Sequence, residues 1–197
     1  MTARPTLLER AREIAPLLEA RAEQAERERT LPSESVAALA KAGIFRACLP
    51  HALGGEGAEF SPCIEAWEEI SRADGSAGWT AMANASAAGA AAHFLPVGAA
   101  RAIFGEDPAA TVGGQFAPRG TGVREGQGWR VTGSFSFGSG TAHSGYVAAG
   151  FLPLEEGRPV LEPGGLPRML AALIPRDQVI FTDNWHVMGL RGTGSYD

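Results

Sequence analysis

The chain has 197 residues, of which 45% are hydrophobic and 20% charged, and its net charge is -5 at neutral pH. Such a composition describes a soluble globular chain long enough for one large domain or two small ones, and it excludes a disordered polymer. The acidic balance and the lack of a Lys/Arg cluster exclude a nucleic-acid footprint, and no apolar run is long enough to suggest a membrane partner.

At the N-terminus Arg4, Glu9, Arg10, Arg12 and Glu13 stand where a signal peptide would carry its apolar segment, so a cytoplasmic protein is expected. From Leu7 the apolar positions Leu7, Ala11, Ile14, Leu18, Ala22 and Ala25 recur at helical spacing, which predicts a solvated amphipathic helix up to Arg29. Pro16 is expected to kink or restart it, while Glu23 and Arg27 form a favourable pair one turn apart. Ser33 reads as the N-cap of a short helix through Lys41, stopped by Gly43, and Cys48 and Cys63 are not spaced as a metal or redox pair. After the turn-rich connector 49–60, Ser61 and Pro62 open another helix that ends before Gly75. Ser76 to Leu95 reads as a small-residue helix suited to close packing, and Val97 to Phe104 as one more short piece. Residues 1–108 are therefore expected to form an N-terminal helical bundle.

Beyond Thr111 short β-like runs appear at 111–116, 122–125, 129–137, 146–152, 169–174 and 179–182, with a hairpin turn at Glu125 to Gly128. Residues 109–197 are expected to form a small antiparallel barrel or sandwich, which makes the whole chain α+β. Within 129–137 the residues Trp129, Val131, Phe135 and Phe137 alternate with Arg130, Thr132, Ser134 and Ser136, a period of two. Ser139 falls just past the end of that strand. A hydroxyl beside the apolar face of Phe137 suits a flat-ring cofactor, and an ordinary edge hairpin is the alternative.

Several chemistries have no candidate. G-x-G-x-x-G, a Walker loop and G-x-S-x-G are absent, and His51, His93, His143 and His186 are too scattered for a metal site.

The segment Gln115 to Gly122, the set Gly133, Phe137 and Ser139, and the phrases SFSFGSGTAHSGY and NWHVMGLRGTGSYD carry a resemblance. The chain resembles the N-terminal half of the acyl-CoA dehydrogenase superfamily over essentially its whole length. In that family a stretch beginning Thr-Glu-Pro and ending Gly-Ser-Asp lines the flavin; here Gln115 stands for the Thr, Thr121 for the Ser, and Gly120 precedes it. The resemblance implies that Phe137 packs beside the isoalloxazine of FAD or FMN and that Ser139 hydrogen-bonds near its N5 edge.

The two phrases, with Phe137, Ser139, Gly140 and His143, are most similar to the branch of two-component monooxygenases. These use reduced flavin from a separate reductase on aromatic, heteroaromatic or sulfur-containing small molecules. Acyl-CoA dehydrogenation is the alternative, and a non-catalytic fragment the next. Trp79 and His93, fourteen residues apart on one helix face, would then be substrate contacts beside His143, though Trp79 also suits a core anchor and His93 a helix end. The resemblance further implies a C-terminal helical domain, missing here. That domain is expected to hold the catalytic Glu or His and to build a homo-oligomer, so no catalytic residue is assigned within 1–197.

Overall fold

The computed structural model describes residues 4–105 and 110–197. Five helices come first: α1 (Leu7–Glu28), α2 (Ser33–Lys41), α3 (Phe60–Ala73), α4 (Gly75–Phe94) and α5 (Val97–Phe104). Five strands follow: β1 (Val112–Glu125), β2 (Gly128–Gly133), β3 (Tyr146–Glu155), β4 (Arg158–Pro159) and β5 (Leu170–Pro175). The α+β class read from the sequence holds. The boundary expected between 108 and 109 lies outside the described residues.

Thr6 and Glu9 close a capping box on α1, which buries Leu7, Ala11, Leu18 and Ala25. Pro16 sits on its exposed side and the helix runs through it without a restart. α2 begins at Ser33 itself, with Pro32 as its cap residue, and α3 begins at Phe60. Asp74 caps α4 by accepting from the Ser76 N–H at 2.9 Å. The inner faces of α1, α3 and α4 meet in a core of Leu18, Ile44, Trp67, Ile70 and Ala81. Just before the connector, Arg46 donates to the carbonyls of Leu53, Gly54 and Phe104, which ties that loop to α5.

A second core cluster joins the helices to the sheet, with Ala88 and Ala91 of α4 and Phe104 of α5 packed against Val112 of β1 and Ala148 of β3. Small side chains on α4 let the sheet approach closely, which large ones would prevent.

The sheet departs from the expected antiparallel arrangement. β1 and β2 form the predicted hairpin, and β5 pairs antiparallel with β3, but β1 and β3 run parallel from Val112 opposite Tyr146 to Gly122 opposite Pro153. The sheet is mixed because residues 134–145 cross over to α4 instead of turning back beside β2. A parallel pair needs such a crossover. The runs 111–116 and 122–125 are one strand, irregular around Pro118, which has no N–H to give the ladder. The strand expected over 129–137 ends at Gly133, and 179–182 forms no strand. The two-residue β4, which pairs with the end of β3, had no sequence signal.

At the irregularity β1 crowds β3: a Cβ on Gly150 would lie 2.1 Å from the Phe116 carbonyl oxygen and 2.4 Å from that of Ala117. Gly150→Ala is expected to lower stability by about 2–3 kcal/mol through overpacking, read as a drop in the urea midpoint with unchanged slope.

Candidate functional site

α4 carries a buried carboxamide, Asn84, on its inner face, among alanines. Its Nδ2 donates to the Ser139 carbonyl at 3.2 Å, and its Oδ1 accepts from His143 Nε2 at 3.0 Å. Because a carboxamide oxygen only accepts, the His143 proton must be on Nε2, leaving Nδ1 bare. Burial first, and the nearby Arg176 charge second, push His143 down to about 4, so its ring is neutral at pH 7. Phe45 packs against that ring at 5.6 Å. The turn 133–144 that follows β2 comes so near α4 that a Cβ at position 140 would lie 2.4 Å from Asn84 Oδ1, and Gly140 also has φ +70. Both facts require glycine there.

The last residues clamp the other side of this turn. The Thr193 carbonyl accepts from Gly140 N at 2.9 Å and the Tyr196 carbonyl from Gly138 N at 3.1 Å. Gly192 is wedged against Ala25 of α1 and Ser76 of α4, where Glu26 accepts from both Gly192 N (3.2 Å) and Ser76 Oγ (3.0 Å). Tyr196 donates its hydroxyl proton to the Arg29 carbonyl at 2.8 Å. Ser139 Oγ accepts from Trp79 Nε1 at 3.0 Å and lies 2.6 Å from Ser195 Oγ, which is 2.7 Å from Thr193 Oγ1.

Between these clamps Phe137 adopts φ 64, uncommon for a bulky residue. Its carbonyl accepts from Ser139 N at 2.9 Å, and its ring is 70% exposed, meeting Trp185 edge-on at 6.0 Å. A strained backbone thus displays an aromatic ring to solvent beside an ordered hydroxyl. Trp79, 48% exposed, flanks it.

The other residues singled out in the sequence fall as follows. Gln115 donates to the Ser136 carbonyl and so holds β1 to the start of the turn. Gly120 is buried opposite Gly133, with Phe135 over both. Thr121 is exposed one residue further along β1, paired with Thr132 and Leu152. His143 joins the Asn84 cluster and also lines a ≈ 410 Å³ cavity with Leu31, Val36 and Phe45. His93 is exposed beside Phe94, about 21 Å along α4 from Trp79 at the usual helical rise. A cleft of ≈ 300 Å³ opens beside the turn, lined by Gln115, Phe135, Gly138, Ile174, Ile180 and Tyr196. Among the described residues no cluster of His, Cys, Asp and Glu could hold a metal ion. Asn84, Trp185, Thr193 and Ser195 were not singled out as site residues; the one sequence signal was an amide inside an alanine-rich helix.

Residues 6–96 match the family model for the N-terminal domain of acyl-CoA dehydrogenases. Over 191 residues the chain is 35% identical to an FADH(2)-dependent resorcinol hydroxylase, oxygenase component, from a Rhizobium species, covering 96% of this chain and 44% of that protein. It superposes on the crystal structure of 3-HSA hydroxylase from Rhodococcus sp. RHA1 with a TM-score of 0.87 at 30% identity, covering 98% of this chain and 48% of that one. XiaF from a Streptomyces species, solved in complex with FADH2 and glycerol, gives a TM-score of 0.85 at 27% identity, covering 96% and 46%. The chain thus spans just under half the length of these relatives. The likeness extends past the acyl-CoA dehydrogenase N-terminal domain through the whole sheet.

The neutral His143 predicts a pH dependence. Unfolded, its imidazole titrates near 6.5; folded, near 4, so the unfolded chain binds more protons between these values. The stability gained by burying the neutral ring is complete above about pH 6.5 and is lost as pH falls through 4, a loss of about 3 kcal/mol. His143→Gln, whose amide can still donate to Asn84, is expected to flatten this part of the urea-midpoint profile relative to wild type.

Proposed function

We propose that the face built by Phe137, Ser139, Trp79 and Trp185 receives the ring of a flavin, FAD or FMN. In this reading the protein is the oxygenase component of a two-component monooxygenase acting on a small aromatic molecule. The observation that carries the reading is Phe137, held at φ 64 with its ring exposed beside the hydroxyl of Ser139. The residues fit such a group: an aromatic plane for stacking, an ordered hydroxyl at its edge, and no charged side chain within the turn 133–144, where His143 is neutral. The family of residues 6–96 and the relatives named as oxygenase components support it.

When bound, the flavin would supply the activation of oxygen and its transfer. The chain's own residues would provide the frame. Phe137 gives the ring an apolar support, and Asn84 and the hydrogen bonds from Gly138 and Gly140 fix where that support stands. Gln115, Gly120 and Thr121 would border the cofactor along β1. Trp79 would present its exposed face to the substrate, while His143 acts as a positioning residue through Asn84. His93 stands outside this arrangement. The proposed partner is a separate flavin reductase, and the proposed setting is a cytoplasmic homo-oligomer. No helix among the described residues is long and apolar enough to cross a membrane.

Titration with FMN and with FAD, followed by quenching of flavin fluorescence, tests the cofactor. Saturable binding is expected, and Phe137→Ala is expected to weaken it about tenfold, or about 1.4 kcal/mol. No binding of either flavin contradicts the reading. The activity is tested by supplying chemically reduced flavin, oxygen and a simple phenol or indole to the protein that carries this chain: oxygen-dependent hydroxylation is expected, and desaturation of an acyl-CoA instead would contradict it.

A further inference from the structure

The ≈ 410 Å³ cavity that His143 lines lies between α2 and the turn 133–144, and it shares no lining residue with the face built by Phe137, Ser139, Trp79 and Trp185. Its volume falls in the range of small-molecule pockets. Leu31, Phe45 and Thr111 are buried at its floor, while Ser33 and Ala37 of α2 are exposed at its mouth, so a ligand has a way in. The walls are mostly apolar, with Leu31, Val36, Phe45 and Ala142, and no charged side chain lines them. His143 is half-buried there, so a molecule in the cavity meets the imidazole.

Hydrogen counting shows what that imidazole lacks. The Ser139 carbonyl accepts from Asn84 Nδ2, so the carboxamide oxygen is the atom that faces His143 and takes its one ring hydrogen, at Nε2. Nδ1 is then a bare acceptor, shut off from bulk water and without a partner among the described residues. The neighbouring hydroxyls have no hydrogen to give it: Thr111 donates to the His143 carbonyl at 3.3 Å, Thr141 to the Gly138 carbonyl at 2.8 Å and Ser144 to the Gly140 carbonyl at 2.8 Å. A second ring proton is no remedy, because burial and the Arg176 charge keep the ring neutral. Buried acceptors in folded proteins are nearly always paired, so one left bare beside a cavity calls for a donor from outside the chain. We propose that this cavity binds a small neutral aromatic molecule with a single O–H or N–H donor, which gives its hydrogen to His143 Nδ1 and packs its ring against Phe45. The Phe45 and His143 rings, tilted by 33° at 5.6 Å, offer that ring an aromatic wall. An anion finds no cation among the lining residues, and a molecule without a donor leaves Nδ1 bare. Accepting at Nδ1 makes the imidazole a stronger donor at Nε2, so an occupant tightens the bond to Asn84 and with it the turn. The proposal does not rest on the flavin reading.

The test uses phenol, with anisole, its methyl ether, as a control of similar shape that has no hydrogen to donate. Dissociation constants for the chain are read from NMR titrations of the His143 ring, which report on this cavity and not on the Phe137 face. Phenol is expected to bind saturably, at least tenfold more tightly than anisole, or about 1.4 kcal/mol. It is also expected to move the Nδ1 resonance toward that of a hydrogen-bonded nitrogen. Val36→Trp and Ala40→Phe, which fill the cavity from α2, are each expected to weaken phenol at least tenfold. Far-UV circular dichroism identifies a filling variant that does not fold; the other then carries the comparison. No response of the ring to phenol, equal affinities for phenol and anisole, an unmoved Nδ1 resonance, or binding that survives a filled cavity overturns the inference. Each of these results leaves the flavin reading intact, and a chain that fails to bind flavin leaves this site standing.

Discussion

The buried carboxamide of Asn84 is the contact from which the geometry of the turn 133–144 follows. It is 1% exposed, and both of its polar atoms are used: one on the Ser139 carbonyl, the other on His143. Each partner would be left unpaired in a dry environment without it, at a cost of about 1–3 kcal/mol per group. To reach that carboxamide the chain must cross from the end of β2 to α4, and the crossing explains two other features. It delivers Tyr146 beside Val112, so that β3 joins β1 in parallel, and it drives Phe137 into a left-handed conformation that turns its ring outward. Sheet topology and the outward-facing Phe137 ring have one cause.

The second constraint is the return of residues 191–197 to the helices. Glu26 receives Gly192 and Ser76 together, Tyr196 reaches the Arg29 carbonyl, and the carbonyls of Thr193 and Tyr196 hold the glycines on either side of Ser139. The turn is therefore gripped from α4 on one side and from the chain's last residues on the other. Such double support suits a site that must present a ring and a hydroxyl in fixed relation, since a strained residue keeps its conformation only where its surroundings over-determine it.

The helices were legible because their signals are local. Periodicity located the buried stripe of α1 at Leu7, Ala11, Leu18 and Ala25, and the small-residue composition of α4 anticipated its close packing. The hairpin at Glu125 to Gly128 was legible for the same reason. What was not legible is long-range. The alternation from Trp129 to Phe137 is the same whether the strand continues or stops at Gly133, and only the reach toward Asn84 decides between them. The parallel pairing of β1 with β3 depends on a crossover that leaves no periodic mark. Ser139 and Phe137 stood out in the sequence, whereas Ser195 and Thr193, 56 and 54 positions from Ser139, act on it only once the fold has closed.

The most direct test of the account is a crystal structure of this chain grown with reduced FMN under anaerobic conditions. The account predicts the isoalloxazine against the Phe137 ring, with Ser139 Oγ at hydrogen-bonding distance from its edge and the turn 133–144 unmoved. A flavin lodged instead in the cleft lined by Gln115, Ile174 and Ile180, or one that binds only after Phe137 has left its φ of 64, would contradict it.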